Sequence, residues 1–468
     1  MNTAVSANVT EQVSSIAGQV AAIRAYFKTG VTRPIEWRKT QLTALKQLIL
    51  ENQSSIGEAL EADLAKSEEE TWISEIGYSL ADIDHTLKKL AGWMKPRRVS
   101  TPLVAFPASS YMLPEPLGTI CIIGAWNYPF QLVMGPFTAA IAAGNCAVLK
   151  PSELSIHTSN LIAELLPKYL DAKAFQVIEG EVAETTELLK QPFEHIFYTG
   201  GEGVGKVVMR AAAEQLTPVT LEMGGKSPCI VDNSSDLDVA AARIVWSKFM
   251  NAGQTCVAPD YVLVQSSVYA PLLEALKKKI VAFYGEDAKN SRDYGRIVNE
   301  RHFQRILSYL TDQTIAHGGA SDLESRYIAP TLVEKPSLDS PIMQNEIFGP
   351  LLPILTYDSI DEAIALVNKR EKPLALYVFT QNSQLEKQVL SQTSAGSVCV
   401  NDGMMFMLNP ELPFGGVGNS GMGRYHGKFG FDGLSHLKTV MKRSFKFDVP
   451  LRYPPFNAFK FNLLKKLL

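Results

Sequence analysis

Between Gly118 and Met223, five short apolar segments alternate with stretches of helical periodicity. The segments are "GTICIIG", "NCAVLK", "AFQVIEG", "HIFYTG" and "PVTLEMG", and the helical stretches begin after Pro129, Ser155, Val182 and Gly203. Runs this continuous in Val, Ile and Leu read as strands buried on both faces. Parallel strands joined through helices bury both faces at once. The pattern predicts an α/β fold with a Rossmann-type, doubly wound parallel sheet. It also predicts where chemistry sits, because open α/β sheets bind ligands beyond the carboxyl ends of their strands. A second alternation runs through 225–420 ("SPCIVDN", "YVLVQSS", "IAPTLVE", "LLPILTY", "LALYVFT", "GSVCVN") and predicts a second α/β domain. A chain of 468 residues suits two or three domains, since a single core stops growing well below that length.

The flanking segments differ in character. Residues 12–92 are rich in Ala, Leu, Glu and Lys at helical spacing, which suits surface helices covering a sheet. Arg97–Pro116 is β-branched, aromatic and punctuated by prolines, as in an extended arm or hairpin. The expected partition is 1–97 with 117–223 as the cofactor domain and 224–421 as the catalytic domain. Residues 98–116 with 438–447 form a β oligomerisation arm, and 448–468 a tail. Leu117–Leu149 carries no charge, yet Asn127, Pro129, Gln131, Pro136, Gly144 and Asn145 divide it into strand, loop, helix and strand, not a membrane span.

Composition removes several classes. A net charge of −3 gives no reason to expect a nucleic-acid partner. Cys121, Cys146, Cys229, Cys256 and Cys399 are odd in number and widely spaced, with no CxxC, and the histidines form no HxxxH pair. Neither a disulfide framework nor a metal site is expected, and the default is a reducing, cytoplasmic compartment. The N-terminal "MNTAVSANVTEQVSS" is polar and does not read as a signal peptide.

One cysteine stands apart. Cys256 lies in "NAGQTCVAPD", among small and polar neighbours, whereas the others follow or interrupt apolar strand runs. Thiolate is a strong nucleophile, and small neighbours leave room for a substrate. Thirty-four residues earlier, Glu222 ends the strand "PVTLE" beside Gly224 and Gly225 and is placed to act as a general base. "GAWNYPF" follows the first strand, and Asn127 in it can offer a side-chain N–H to an oxyanion.

"LEMGGKSP" followed at that distance by "NAGQTCVAPDY" resembles the aldehyde dehydrogenase superfamily. "QLTPVTLEMGGKSPC", "YGEDAKNSRDYGRIV", "RYIAPT", "EIFGPLLPI", "REKPLALY", "LPFGGVGNSGMGRYHGK" and "RYPP" are similar to its class 3 branch, and the likeness covers roughly residues 20–455. The resemblance implies an NAD(P)-dependent oxidation of aldehydes to carboxylic acids, with medium to long aliphatic, aromatic or isoprenoid aldehydes as substrates. It implies Cys256 as nucleophile through a thiohemiacetal and a thioester, Glu222 as the base for hydrolysis, and Asn127 with the Cys256 N–H as oxyanion donors.

For the cofactor it implies Lys150 and Glu153 of "KPSE" at the adenine ribose, Gly200, Gly201 and Gly205 of "YTGGEGVGK" at the pyrophosphate, Glu346 at the nicotinamide ribose and Phe348 beside the ring. Asn401 lies near the substrate channel in relatives. The common GxGxxG after the first strand is absent. Gly201-Glu202 also departs from the family's Ser-Thr, losing a hydroxyl and placing an acid near the phosphates. Glu153 would accept from a ribose 2′-OH and repel a 2′-phosphate, which leans toward NAD, with NADP also admitted.

Two competing readings are a cysteine esterase or acyltransferase without nicotinamide and a non-catalytic protein on this fold. The arm is expected to make an intersubunit sheet in a homodimer, with an intrachain hairpin as the alternative. In the tail, Phe456, Phe459, Leu463, Leu464 and Leu467 fall on one helical face, with Lys460, Lys465 and Lys466 off it. Three uses stay open for it: docking on the body, peripheral contact with an anionic membrane, or a lid over the substrate entrance.

Overall fold

In a computed structural model, the structure describes residues 16–446, 448 and 450–467. The N-terminal segment read above as lacking a signal peptide lies outside the described residues. The five predicted strands of the first half are Thr119–Ile123 (β1), Cys146–Lys150 (β2), Phe175–Val177 (β3), His195–Thr199 (β4) and Val219–Glu222 (β5), paired in parallel in the order β5-β4-β1-β2-β3. β1, β2 and β4 are buried along their whole length, which is why their sequences lack alternation. The intervening helices are Gln131–Ala143, Ile156–Tyr169, Val182–Leu189 and Glu202–Ala213. Strand order reverses between β1 and β4, so the crevice lies where the loop after β1 meets the loop after β4. The chargeless Leu117–Leu149 stretch is strand, loop, helix and strand, as its punctuation predicts, and no described helix is long and apolar enough to cross a membrane.

One strand of this sheet had no sequence signal. Gly421–Met422 returns from the far end of the chain and pairs antiparallel with β5, setting Gly421 opposite Glu222. The second sheet contains all six strands expected from 225–420, in the order Thr331–Glu334, Leu351–Tyr357, Tyr261–Gln265, Pro228–Val231, Ala375–Phe379, Ser397–Val400, all parallel. A seventh, Ile315–His317, adds antiparallel at one edge; at three residues it is too short to show a period.

The arm is a three-stranded antiparallel sheet of Arg97–Val99, Ala108–Pro116 and Ser435–Arg443. Its last strand starts three residues before the expected 438, because Ser435 already pairs with Pro116. The pairing expected between subunits is formed here within one chain. Nine residue pairs join Ala108–Pro116 to Ser435–Arg443, a register that the chain reaches by itself through the short helix Gly427–Gly433.

Candidate active site

Cys256 follows a turn in which three successive residues are left-handed: Asn251 (φ 53°), Ala252 (φ 50°) and Gly253 (φ 74°). Non-glycine residues rarely adopt that conformation, and where they do the surroundings must hold them. Here the hold is polar. The Asn251 Nδ2 donates to Asn127 O (2.7 Å), and the Gln254 Nε2 donates to Arg296 O (2.9 Å). Val298 N donates to the Gln254 Oε1 (3.0 Å). A Cβ on Gly253 would lie 2.3 Å from Gly349 O, so the Cys256 loop and the "EIFGP" loop touch backbone to backbone.

The half-buried Cys256 has its thiol pushed up to about 12, first by burial and then by the facing Glu346 and Glu222 carboxyls. The N–H groups of Cys256 and Val257 pull the other way. Glu222 is buried at the end of β5, its backbone carbonyl accepting from Gly200 N at 3.0 Å. Both of its carboxyl oxygens lack a partner, and burial holds its proton well above the usual carboxylate range. Asn127 is buried too, with Nδ2 donating to Gln254 O at 3.0 Å. One amide hydrogen is thereby used and one remains.

Glu346 sits against the glycine pair after β5. Gly225 N–H donates to it, while burial raises it to about 8. Phe348 is left-handed (φ 46°) and meets Trp126 edge-on at 5.2 Å, and Trp126 in turn meets His302 at 5.1 Å. Arg305 donates to the carbonyls of Ile347 (2.9 Å) and Glu346 (3.4 Å) and so fixes this loop. Sequence reasoning passed over Trp126, His302 and Arg305; the aromatic and cationic pair three residues apart on the helix Glu300–Ser308 was the available signal.

The remaining predicted residues gather around Tyr198, beyond β2 and β4. Lys150 is buried, its ammonium donating to Pro151 O (2.8 Å) and lying 3.6 Å from the more exposed Glu153. The Tyr198 hydroxyl donates to Gly201 O (3.0 Å). Gly201 caps the helix Glu202–Ala213 without any side-chain bond, leaving its first N–H groups free, while Glu202 pairs with Lys206. Gly205 is a packing glycine: a Cβ there would meet Met223 Sδ at 2.7 Å. The structure thus brings Cys256, Glu222, Asn127, Glu346 and Phe348 to one end of the crevice and Lys150, Glu153, Gly200, Gly201 and Gly205 to the other. Asn401 is not offered to either, since its amide bonds both ways with the Thr380 backbone (2.7 and 2.8 Å).

An aromatic row that the sequence did not reveal leads away from the Cys256 loop. The Tyr377 hydroxyl donates to Val257 O, and rings continue through Phe406, Phe414 and His426. The row ends at a cavity of about 320 Å³ lined by Trp72, Ile73, Tyr78, Asp82, Met407 and His426. No metal-binding cluster occurs among the described residues.

The aldehyde dehydrogenase family matches residues 3–440 of the chain. The mouse "Aldehyde dehydrogenase, dimeric NADP-preferring" is 51% identical over 445 residues, covering 95% of this chain and 98% of that protein. The "4,4'-diaponeurosporen-aldehyde dehydrogenase" of Staphylococcus aureus is 49% identical, covering 94% and 96%. A solved structure described as the "Substrate bound state of Staphylococcus Aureus AldH" superposes with a TM-score of 0.94 at 48% identity, covering 96% of this chain and 98% of that one. With a family match over nearly the whole length and relatives near half identical end to end, the chain belongs to the aldehyde dehydrogenase family.

Proposed function

We propose that the protein oxidises lipophilic aldehydes to carboxylic acids, with Cys256 as nucleophile, Glu222 as base and NAD or NADP as hydride acceptor. The observation that carries this reading is the convergence of the Cys256 thiol with an unpartnered, buried Glu222 carboxyl and a half-free Asn127 amide. The thiolate adds to the aldehyde carbon. Asn127 Nδ2 and the Cys256 N–H hold the resulting oxyanion. A bound nicotinamide dinucleotide would supply the hydride acceptor for that carbon, and Cys256 then holds the acyl group as a thioester. Glu222 then removes a proton from water as it attacks the thioester, and the acid departs with the thiolate regenerated.

The residues present fit a nicotinamide dinucleotide. The uncapped helix start offers free N–H groups to a pyrophosphate, and nothing approaches within 4 Å of where a Cβ of Gly201 or Gly203 would be. Glu153 is placed for a ribose hydroxyl. The neighbouring Lys150 tempers its repulsion of a 2′-phosphate, which supports use of both cofactors. The aromatic row and its apolar cavity suit aliphatic, aromatic or isoprenoid chains.

Assembly is part of the same proposal. Homodimers would form through the arm, which leaves Val99, Leu103, Phe106 and Met441 exposed. In this reading the first sheet holds the cofactor and the second carries the nucleophile. The tail forms a helix, Ala458–Leu467, with Phe456, Phe459 and Phe461 exposed beside Lys465 and Lys466. The side chain of Leu467, read as part of its apolar face, lies outside the described residues. Exposed phenylalanines support a peripheral membrane contact over a docked helix. All five cysteines are free, in keeping with a cytoplasmic setting.

The test is a panel of straight-chain, aromatic and isoprenoid aldehydes with NAD and with NADP, followed by absorbance of the reduced nicotinamide. A signal rising with chain length supports the reading. Ester cleavage without any nicotinamide reduction would move the protein to the cysteine-esterase class.

A further inference from the structure

Lys66 and Glu75 form an ion pair with both side chains at 0% exposure, the ammonium 2.5 Å from the Glu75 Oε1. Buried pairs are poor stabilisers, since desolvating two ions costs about what their attraction returns, so such a pair calls for another reason. Its remaining bonds supply one. Lys66 Nζ donates to the carbonyl oxygen of Asn127 at 3.1 Å and stands 3.9 Å over the Tyr128 ring. The second Glu75 oxygen accepts from Gln131 N at 2.8 Å, at the first turn of the helix Gln131–Ala143. The pair therefore grips both ends of the five-residue turn that carries Asn127.

The local chain is shaped to aim Glu75 inward. Trp72–Ile76 is a single π-helical turn within an otherwise α-helical run. Such turns insert one residue, rotate the helix face and recur at functional sites. Gly77 follows because a Cβ there would lie 2.8 Å from Trp72 O. From the other side, the Asn251 Nδ2 donates to the same Asn127 oxygen at 2.7 Å, and Tyr128 is tied by a 2.6 Å hydroxyl bond to Thr255, next to Cys256. The Asn127–Tyr128 peptide thus has two donors on its carbonyl, which leaves its plane little freedom to rotate.

We infer that Lys66, held by Glu75, is a positioning residue that locks the Asn127 peptide so that the Asn127 amide faces the oxyanion formed on the substrate of Cys256. The inference rests on the oxyanion role proposed above for Asn127. It concerns residues that touch neither substrate nor cofactor, and it explains why a charged pair is kept where apolar side chains would fold as well.

The experiment is a cycle of three variants: K66M/E75Q, which removes both charges yet keeps an acceptor for Gln131 N; N127A; and their combination. Each is measured for melting temperature, Kd for NAD, and kcat with a saturating aliphatic aldehyde. Losing a preorganised oxyanion donor costs about 10²–10³-fold in kcat, and N127A is expected in that range. K66M/E75Q is expected to melt near the wild type, bind NAD equally and lose kcat about 10²-fold, the scale of a 1 Å misplacement. The combination should be no slower than N127A alone, because a positioning residue has nothing to position once the amide is gone. K66R, which keeps charge and pairing but alters donor geometry, should fold and lose kcat about tenfold, and it carries the test if K66M/E75Q fails to fold. Wild-type kcat in the folded variants overturns the inference, as does a combined loss equal to the product of the separate ones. A fully active N127A would instead refute the oxyanion role itself, and a falling NAD affinity in K66M/E75Q would place the pair in the cofactor site.

Discussion

Gly224 offers a test in which stability and activity move in opposite directions. Its φ is not positive, so alanine suits the backbone. A Cβ at this position would stand 2.2 Å from the Glu346 Oε1, whereas ordinary contact begins at 3.4 Å. The carboxylate must therefore retreat by at least about 1.2 Å, the shortfall in contact distance. It is the far end of a flexible side chain, so the fold absorbs the change. Fewer unfolded conformations should raise stability by about 0.4–1 kcal/mol. Glu346 is proposed to hold the nicotinamide ribose, and a displacement near 1 Å in a positioning group costs about 10²-fold in rate, or about 2.7 kcal/mol of barrier. Gly224→Ala should melt at or slightly above the wild-type temperature while kcat/KM for NAD falls about a hundredfold. Steady-state kinetics with varied NAD at fixed aldehyde, beside a calorimetric melt, provides the readout. An unchanged kcat/KM for NAD would refute the placement of Glu346 at the cofactor.

Glu222→Gln should release one equivalent of reduced nicotinamide and then slow, with steady turnover down about 10²–10⁴-fold, because the base for thioester hydrolysis is gone. Burial raises the Glu222 proton affinity, so the folded chain keeps a proton that the unfolded chain gives up above 4.5. Wild-type stability should therefore fall as pH rises beyond that value, and Glu222→Gln should remove that slope in pH-dependent melts. Wild-type turnover should climb with pH as the carboxyl ionises; a profile that stays flat over the whole pH range in which the fold survives would count against Glu222 as base. Glu153→Gln should raise the NADP-to-NAD ratio of kcat/KM by removing a carboxylate from the 2′ position, and an unchanged ratio would show that it faces elsewhere. Deletion after Pro455 should abolish binding to anionic liposomes. A raised KM for long aldehydes with liposome binding intact would make the tail a lid.

The parts of the molecule visible in the sequence are those where burial or backbone chemistry repeats. β1, β2 and β4 declare themselves because each is buried on both faces, and Cys256 because its polar neighbours contradict a core cysteine. Gly421–Met422 is too short for any period, although it sets the edge beside Glu222. Lys66 and Glu75 were invisible for a different reason. They lie in a segment rich in Glu and Lys, where charge ordinarily means a solvated face, and only the π turn shows that Glu75 points inward. The aromatic row from Tyr377 to His426 joins positions far apart in sequence, so no local pattern marks it. The ends of the arm strand are not legible in the sequence because Ser435–Arg443 is a mostly exposed ribbon whose alternation carries little burial signal.

Glu222 and Glu346 both face Cys256, in a space that favours none of the three ionised forms. Burial is the leading cause for each, and each carboxyl adds to the cost of a thiolate. The cations close by are already engaged: Lys226 pairs with Asp260, whose other oxygen accepts from Ile347 N at 3.0 Å, so that charge is spent on holding the Glu346 loop. A Cys256 thiol pushed up to about 12 is thiolate in only a minute fraction at neutral pH. What the pocket lacks is a positive charge, and oxidised nicotinamide brings one. Alkylation of Cys256 by iodoacetamide should therefore be slow in the free protein and accelerate about tenfold or more with saturating NAD, before any aldehyde is present. The reduced cofactor, whose nicotinamide ring is uncharged, should fill the same space without that acceleration, which separates the ring's charge from conformation. Equal rates with oxidised and reduced cofactor would show that closure of the site, and not its electrostatics, arms the thiol.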